Sequence, residues 1–127
     1  MDSNDEIISD SEGYLRIYKS GRVERFYRTG FVPPSTDLAN GVSSKDAIVA
    51  PGVTARLYIP QIDPKKKLPI FVHFHGGAFC MGSSFEPLAH SYITSLVAQA
   101  NVIAVSVNYR LAPEIIFQQH MNPHMLQ

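Results

Sequence analysis

A mostly apolar run, Leu68-Pro69-Ile70-Phe71-Val72-His73-Phe74, stops at His75-Gly76-Gly77-Ala78-Phe79. No other junction limits the possible folds as strongly. Apolar residues on both alternations imply a strand buried on two faces, and the glycines after it imply a tight turn. Adjacent glycines let a backbone approach a ligand closely with its N–H groups turned outward. Two such donors in a dry cleft are what acyl transfer needs to hold a developing oxyanion. A strand-to-loop turn without chemistry is the alternative reading.

The residues beyond the glycines support an α/β class. Pro87 suits the first turn of a helix, with Ser83, Ser84 or Phe85 near its cap. Leu88, Tyr92, Leu96 and Ile93, Val97, Ala100 recur at helical spacing, so one face of residues 86–100 should pack inward. Asn101 is a reasonable left-handed stop. Val102 to Val107 is again strand-like. Strand, helix, strand in that order predicts a right-handed βαβ unit with parallel strands.

The region before this unit reads as antiparallel. Leu15–Tyr18 and Val23–Phe26 flank Lys19-Ser20-Gly21-Arg22, which predicts a hairpin turning at Gly21. Phe31-Val32-Pro33-Pro34-Ser35 is an extended loop, because its prolines remove backbone donors. A short strand is expected over Ser44–Val49, a turn at Pro51-Gly52, and an alternating strand with one covered face over Val53–Ile59. Lys65-Lys66-Lys67 reads as a solvated loop rather than an anion patch. Residues 1–12 are polar apart from Ile7 and Ile8 and read as a flexible arm or a short helix.

The chain has 127 residues and zero formal charge, so bulk electrostatics recruits neither nucleic acid nor an acidic membrane. Cys80 is the single cysteine, and a reducing compartment is its simplest home. No apolar run approaches the ~20 residues that span a bilayer, and the acidic N-terminus lacks signal-peptide character. The cytosol is the expected setting, with the nucleus as the alternative, and no cofactor or metal is expected.

HGGG-type turns after a strand form the oxyanion element of lipases and esterases, and here Ala78 replaces the third glycine. Other pieces stand in order around it: Tyr14-Leu15-Arg16-Ile17-Tyr18-Lys19, Val32-Pro33-Pro34-Ser35, Ser44-Lys45-Asp46, Ala55-Arg56-Leu57-Tyr58-Ile59-Pro60, and Ser106-Val107-Asn108-Tyr109-Arg110-Leu111-Ala112-Pro113-Glu114. Over about residues 13–114 the chain resembles the N-terminal part of a plant carboxylesterase of the α/β-hydrolase fold, in the hormone-sensitive-lipase-like branch that also holds the gibberellin receptor. The resemblance implies that His75, Gly76 and Gly77 are the oxyanion-hole motif, with small-molecule esters as substrates of full-length relatives. It also implies a serine nucleophile in Gly-x-Ser-x-Gly, with an aspartate and a histidine farther on. No Gly-x-Ser-x-Gly occurs among these residues, and residues 115–127 do not look like family sequence. The expectation is a product truncated before the nucleophile elbow, arising from splicing, a retained intron or a gene-model error. It should be inactive alone. A non-catalytic, gibberellin-receptor-like binding protein or a regulatory fragment is the alternative, and the thin arm before Tyr14 disfavours the receptor-like one.

The remaining candidates read more plainly. His75 should orient the turn rather than transfer a proton. His73 should lie on the strand with one ring nitrogen partnered. Cys80 lacks a base and reads as a small apolar residue. Ser106 is on no nucleophile elbow. His120 and His124 have i,i+4 spacing, but Pro123 between them argues against a helical metal site. Arg110 and Glu114 should tie down the loop after the last strand. The early strand order of this fold, 1-2-4-3-5, leaves the Leu68–His75 strand with an open edge, so self-association or chaperone binding there is expected.

Overall fold

The computed structural model describes residues 5–27, 30–36 and 40–115. Chain contacts divide these into two units, one holding 5–27, 77–81 and 110–115, the other 30–36, 40–76 and 82–109.

The first unit contains a three-stranded antiparallel sheet of β1 (Ile7–Ser11), β2 (Leu15–Tyr18) and β3 (Val23–Arg25), in that order. The β2–β3 hairpin forms as expected, with Ile17 opposite Val23 and Gly21 at φ +88°. The N-terminal arm does not stay an arm over its second half. Ile7–Ser11 pairs with β2 and places Asp10 opposite Arg16, whose guanidinium donates to the carboxylate at 3.1 and 3.2 Å. Every β1 residue is exposed, so no burial pattern announced it. Backbone pairing and this cross-strand ion pair define the strand.

The second unit is a mixed four-stranded sheet with one helix. Its strands are β4 (Val42–Ala50), β5 (Val53–Pro60), β6 (Ile70–Phe74) and β7 (Ile103–Asn108), in spatial order β4-β5-β7-β6. β4, longer than Ser44–Val49, turns through Pro51-Gly52 into β5. β6 and β7 run parallel, joined through helix α1 (Pro87–Ala100). This is the expected βαβ unit and the expected strand order.

Helix α1 differs in detail. Its N-cap is Glu86, without a side-chain capping bond, rather than a serine. Ser83 Oγ instead accepts from the Phe85 amide at 3.0 Å, a local turn. Asn101 does stop the helix, at φ 54° and ψ 54°. Of the two apolar ridges, only Ile93 and Val97 are buried, joined by Ala89; Leu88 and Tyr92 face solvent. Ile93 and Val97 form the core with Val42, Tyr58 and Ala104, and Phe71 packs against it. Each fully buried aliphatic side chain contributes roughly 1.5–3 kcal/mol.

The sheet's two faces reverse the simple expectation. Side chains alternate between faces along a strand, and register carries that alternation across the sheet. Asp46, Arg56 and Ser106 are in register, as are Ser44, Tyr58 and Ala104, with Phe71 and His73 on the same side of β6. This more polar face lies beneath α1, whose His90 bonds both Arg56 and Tyr58. On β5, β6 and β7 the other alternation is apolar throughout, and it is the barer one: Ile59, Ile70, Val72 and Phe74 are all exposed. β6 is therefore not buried on both faces, because no helix covers its second face among the described residues.

Arg56 is fully buried yet charged. Asp46, directly opposite, takes its fork at 2.7 and 3.1 Å, and the Phe85 ring lies 4.7 Å from the guanidinium carbon. A guanidinium only donates, so His90 Nδ1 must accept from Arg56 at 3.2 Å, and it also accepts from Tyr58 Oη at 3.1 Å. The ring is then neutral, with its proton on Nε2. Burial first, and the Arg56 charge second, hold the His90 pKa below the ordinary histidine value. Burial pushes the Tyr58 hydroxyl up to about 12.

Candidate functional site

β6 delivers the chain to His75, which is buried while Gly76 is exposed. The His75 ring stacks on Tyr109, with centroids 4.2 Å apart and planes 8° from parallel. Tyr109 Oη donates to the His75 carbonyl at 2.7 Å, so one tyrosine holds both ring and backbone. His75 Nδ1 donates to the Gly76 carbonyl at 2.7 Å. The carbonyl can only accept, so Nδ1 carries the proton. Nε2 is buried and has no hydrogen-bond partner among the described residues.

That bond orients a peptide plane. In a trans peptide the C=O and the following N–H point in opposite directions. With the Gly76 carbonyl turned to the His75 ring, the Gly77 N–H faces the other way. Neither the Gly76 nor the Gly77 amide donates to a backbone or side-chain acceptor among the described residues.

The backbone beyond is unusual. Gly77 has φ 127°, Ala78 φ 54° and Phe79 φ 63°. Two successive non-glycine residues in the left-handed region are uncommon, and such conformations cluster at functional sites. A Cβ on Gly77 would collide with the Met81 carbonyl, whereas one on Gly76 would meet nothing within 4 Å. The Cys80 and Met81 amides both donate to the Gly77 carbonyl, at 3.0 and 3.1 Å. Only Gly77 therefore requires glycine sterically. Gly82 is a second such position, since its Cβ would lie 2.8 Å from the Gly76 carbonyl oxygen and 3.0 Å from His75 Nδ1.

His73 pairs with Ser106 Oγ at 3.1 Å, as expected of a strand histidine. Burial first, then the neighbouring His75, lowers its pKa. Ser84 is fully buried, and its Oγ has no partner among the described residues. Cys80, half-buried, contributes its carbonyl, which accepts from Arg25 Nε at 2.6 Å. Glu114 does tie down the loop after β7, but its partner is Arg25, with both carboxylate oxygens at 2.6 Å. His120 and His124 lie outside the described residues, and no cluster of three or more metal-ligating side chains occurs among those described. No described helix is long and apolar enough to cross a membrane.

Three residues of this region escaped the sequence reading: Arg25, Tyr109 and Gly82. Arg25 reads as a solvated strand residue, and its partner Glu114 stands 89 positions away. Tyr109 falls within a quoted segment and Gly82 in the loop before α1, and neither carries a local signal for its contact with His75.

Comparisons with known proteins agree on the fold. The family model of the alpha/beta hydrolase fold matches residues 71–123, running past Glu114. The chain is 48% identical over 119 residues to Hydrolase 3 of Catharanthus roseus, covering 90% of this chain and 37% of that protein. It is 48% identical over 113 residues to Probable carboxylesterase 7 of Arabidopsis thaliana, covering 87% of this chain and 36% of that protein. A solved bacterial heroin esterase matches with a TM-score of 0.53 at 26% identity, over 65% of this chain and 27% of that one. The chain thus spans a little over a third of the length of these curated relatives. It belongs to the plant carboxylesterase-like α/β-hydrolases and carries the N-terminal part of their fold.

Proposed function

We propose that this chain supplies the oxyanion-holding turn of a serine carboxylesterase acting on small carboxylic esters. The Gly76 and Gly77 amides are the donors; His75 Nδ1 on the Gly76 carbonyl sets the direction of the Gly77 N–H, and Tyr109 Oη on the His75 carbonyl sets that of the Gly76 N–H. The observation that carries the reading is the His75 Nδ1 bond to the Gly76 carbonyl, which faces the adjoining Gly77 N–H outward with no protein acceptor among the described residues. Each such donor is worth about 2.7–4 kcal/mol to a tetrahedral transition state.

The attacking group is a separate matter. No Gly-x-Ser-x-Gly stands among the 127 residues. Loss of the nucleophile or base in a hydrolase costs on the order of 10⁶ in kcat, far more than two amides return. The 127 residues alone are therefore expected to hydrolyse esters negligibly and to resist labelling by a fluorophosphonate probe. Among the described residues β6 is the last strand of its sheet, which makes self-association the expected behaviour of the chain, visible as mass that grows with concentration.

The test is a chimera of residues 1–114 with the remaining part of the Arabidopsis relative, assayed on p-nitrophenyl acetate. Turnover is expected, and Gly77→Ala should lower kcat about 10²–10³-fold. A chimera that folds and hydrolyses the ester equally well with and without that substitution would end the oxyanion reading.

A further inference from the structure

The left-handed run Gly77-Ala78-Phe79 raises a question of what holds it. Two non-glycine residues in that region persist only when their surroundings over-determine them. Some of the restraint is local, from the Cys80 and Met81 amides on the Gly77 carbonyl. The rest comes from far along the chain. The Ala112 amide donates to the Phe79 carbonyl at 2.8 Å. Arg25 then gathers both segments: Nε donates to the Cys80 carbonyl at 2.6 Å, Nη2 to the Ala112 carbonyl at 3.1 Å, and both Nη atoms to Glu114 at 2.6 Å.

We propose that Arg25 is a positioning residue that clamps residues 77–81 in their left-handed conformation and so sets the aim of the Gly77 amide. The use of that amide rests on the oxyanion reading above, but the clamp itself does not. Arg25 is suited to the task on three counts. It stands on β3, opposite Leu15 of β2, so its base is a paired strand rather than a loop. A planar guanidinium reaches two carbonyls and a carboxylate at once, which a lysine ammonium cannot do in one geometry. Glu114 neutralises the charge and fixes the plane of the fork. The depressed pKa of Glu114, caused first by its hydrogen bonds to Arg25, agrees with a standing pair.

The clamp is tested on the 127-residue chain by amide hydrogen exchange. In Arg25→Ala, the Cys80, Met81 and Ala112 amides are expected to exchange about ten- to a hundred-fold faster, while those of β4 and β5 hold their rates. Arg25→Lys should not restore protection, but free guanidinium ion added to Arg25→Ala should, an effect that general loosening would not show. Unchanged exchange at those amides overturns the proposal, as does equal restoration by lysine. Should Arg25→Ala unfold the whole chain, Glu114→Gln decides: selective loosening of the same amides supports the clamp, and none overturns it. The same substitutions in the ester-hydrolysing chimera separate the two readings. A fall in kcat at constant KM supports both. Loosened amides with unchanged kcat leave the clamp standing and remove the oxyanion role from Gly77.

Discussion

Two arginines in this molecule each hold a carboxylate with both arms of a fork, and they do different things. Arg56 is 0% exposed and Asp46 30% exposed. Arg25 is 22% exposed and Glu114 46% exposed. Arg56 joins adjacent strands and turns its third nitrogen to a helix residue, so its pair belongs to the core. Arg25 joins two loop segments through their carbonyls, so its pair belongs to the conformation of a turn. The contrast shows that bidentate geometry alone does not tell what an ion pair is for. Burial sets the cost of breaking it, and the other groups on the fork tell what it positions.

The hardest test of the contrast is Asp46→Ala. It leaves a buried guanidinium uncompensated and should cost about 3–5 kcal/mol, read by urea denaturation. A loss below about 1 kcal/mol, the range of exposed pairs, would erase the distinction. Next in size is the pair of glycine substitutions in the turn. Gly77→Ala forces a Cβ against the Met81 carbonyl at φ 127° and should cost roughly 1–3 kcal/mol. Gly76→Ala meets no atom within 4 Å and should stay within about 0.5 kcal/mol. Equal effects at the two positions would contradict the backbone described for the turn.

Acid sharpens the same comparison by touching the two regions at different pH. His90 and His73 have depressed pKa values in the folded chain. Below the ordinary histidine pKa, near 6.5, the unfolded chain binds protons that the native one refuses. Their contribution is therefore present above that value and is lost as pH falls through the folded pKa, seen as a melting temperature that drops from pH 7 toward 5. Replacing His90 with Asn should flatten part of that slope. Glu114 acts lower. Its folded pKa is depressed, so its contribution is present above the ordinary carboxylate range and is lost as pH falls through the folded value. Glu114→Gln is the smallest effect, about 0.2–1 kcal/mol in a global melt because the pair is half exposed. It should nonetheless register at the amides of residues 77–81.

Patterns confined to a short stretch were legible before the structure: the hairpin turning at Gly21, the Pro87 start and Asn101 stop of α1, and the parallel β6–α1–β7 unit. Each depends on backbone preferences or on periodicity within a few residues. The end of β6 in a tight glycine turn was also legible, because Gly77 can take the positive φ that such a turn requires. What the sequence could not disclose was set by residues distant along the chain. Arg56 reads as a surface residue until Asp46 and His90 close on it. The sheet face under α1 is the more polar one, because those side chains satisfy one another there. β1 has no buried residue to betray it. The conformation of Gly77-Ala78-Phe79 answers to Arg25, Ala112 and Glu114. Local propensity is written in neighbouring letters, whereas partners for buried charge and strained backbone exist only once the chain has brought remote segments together.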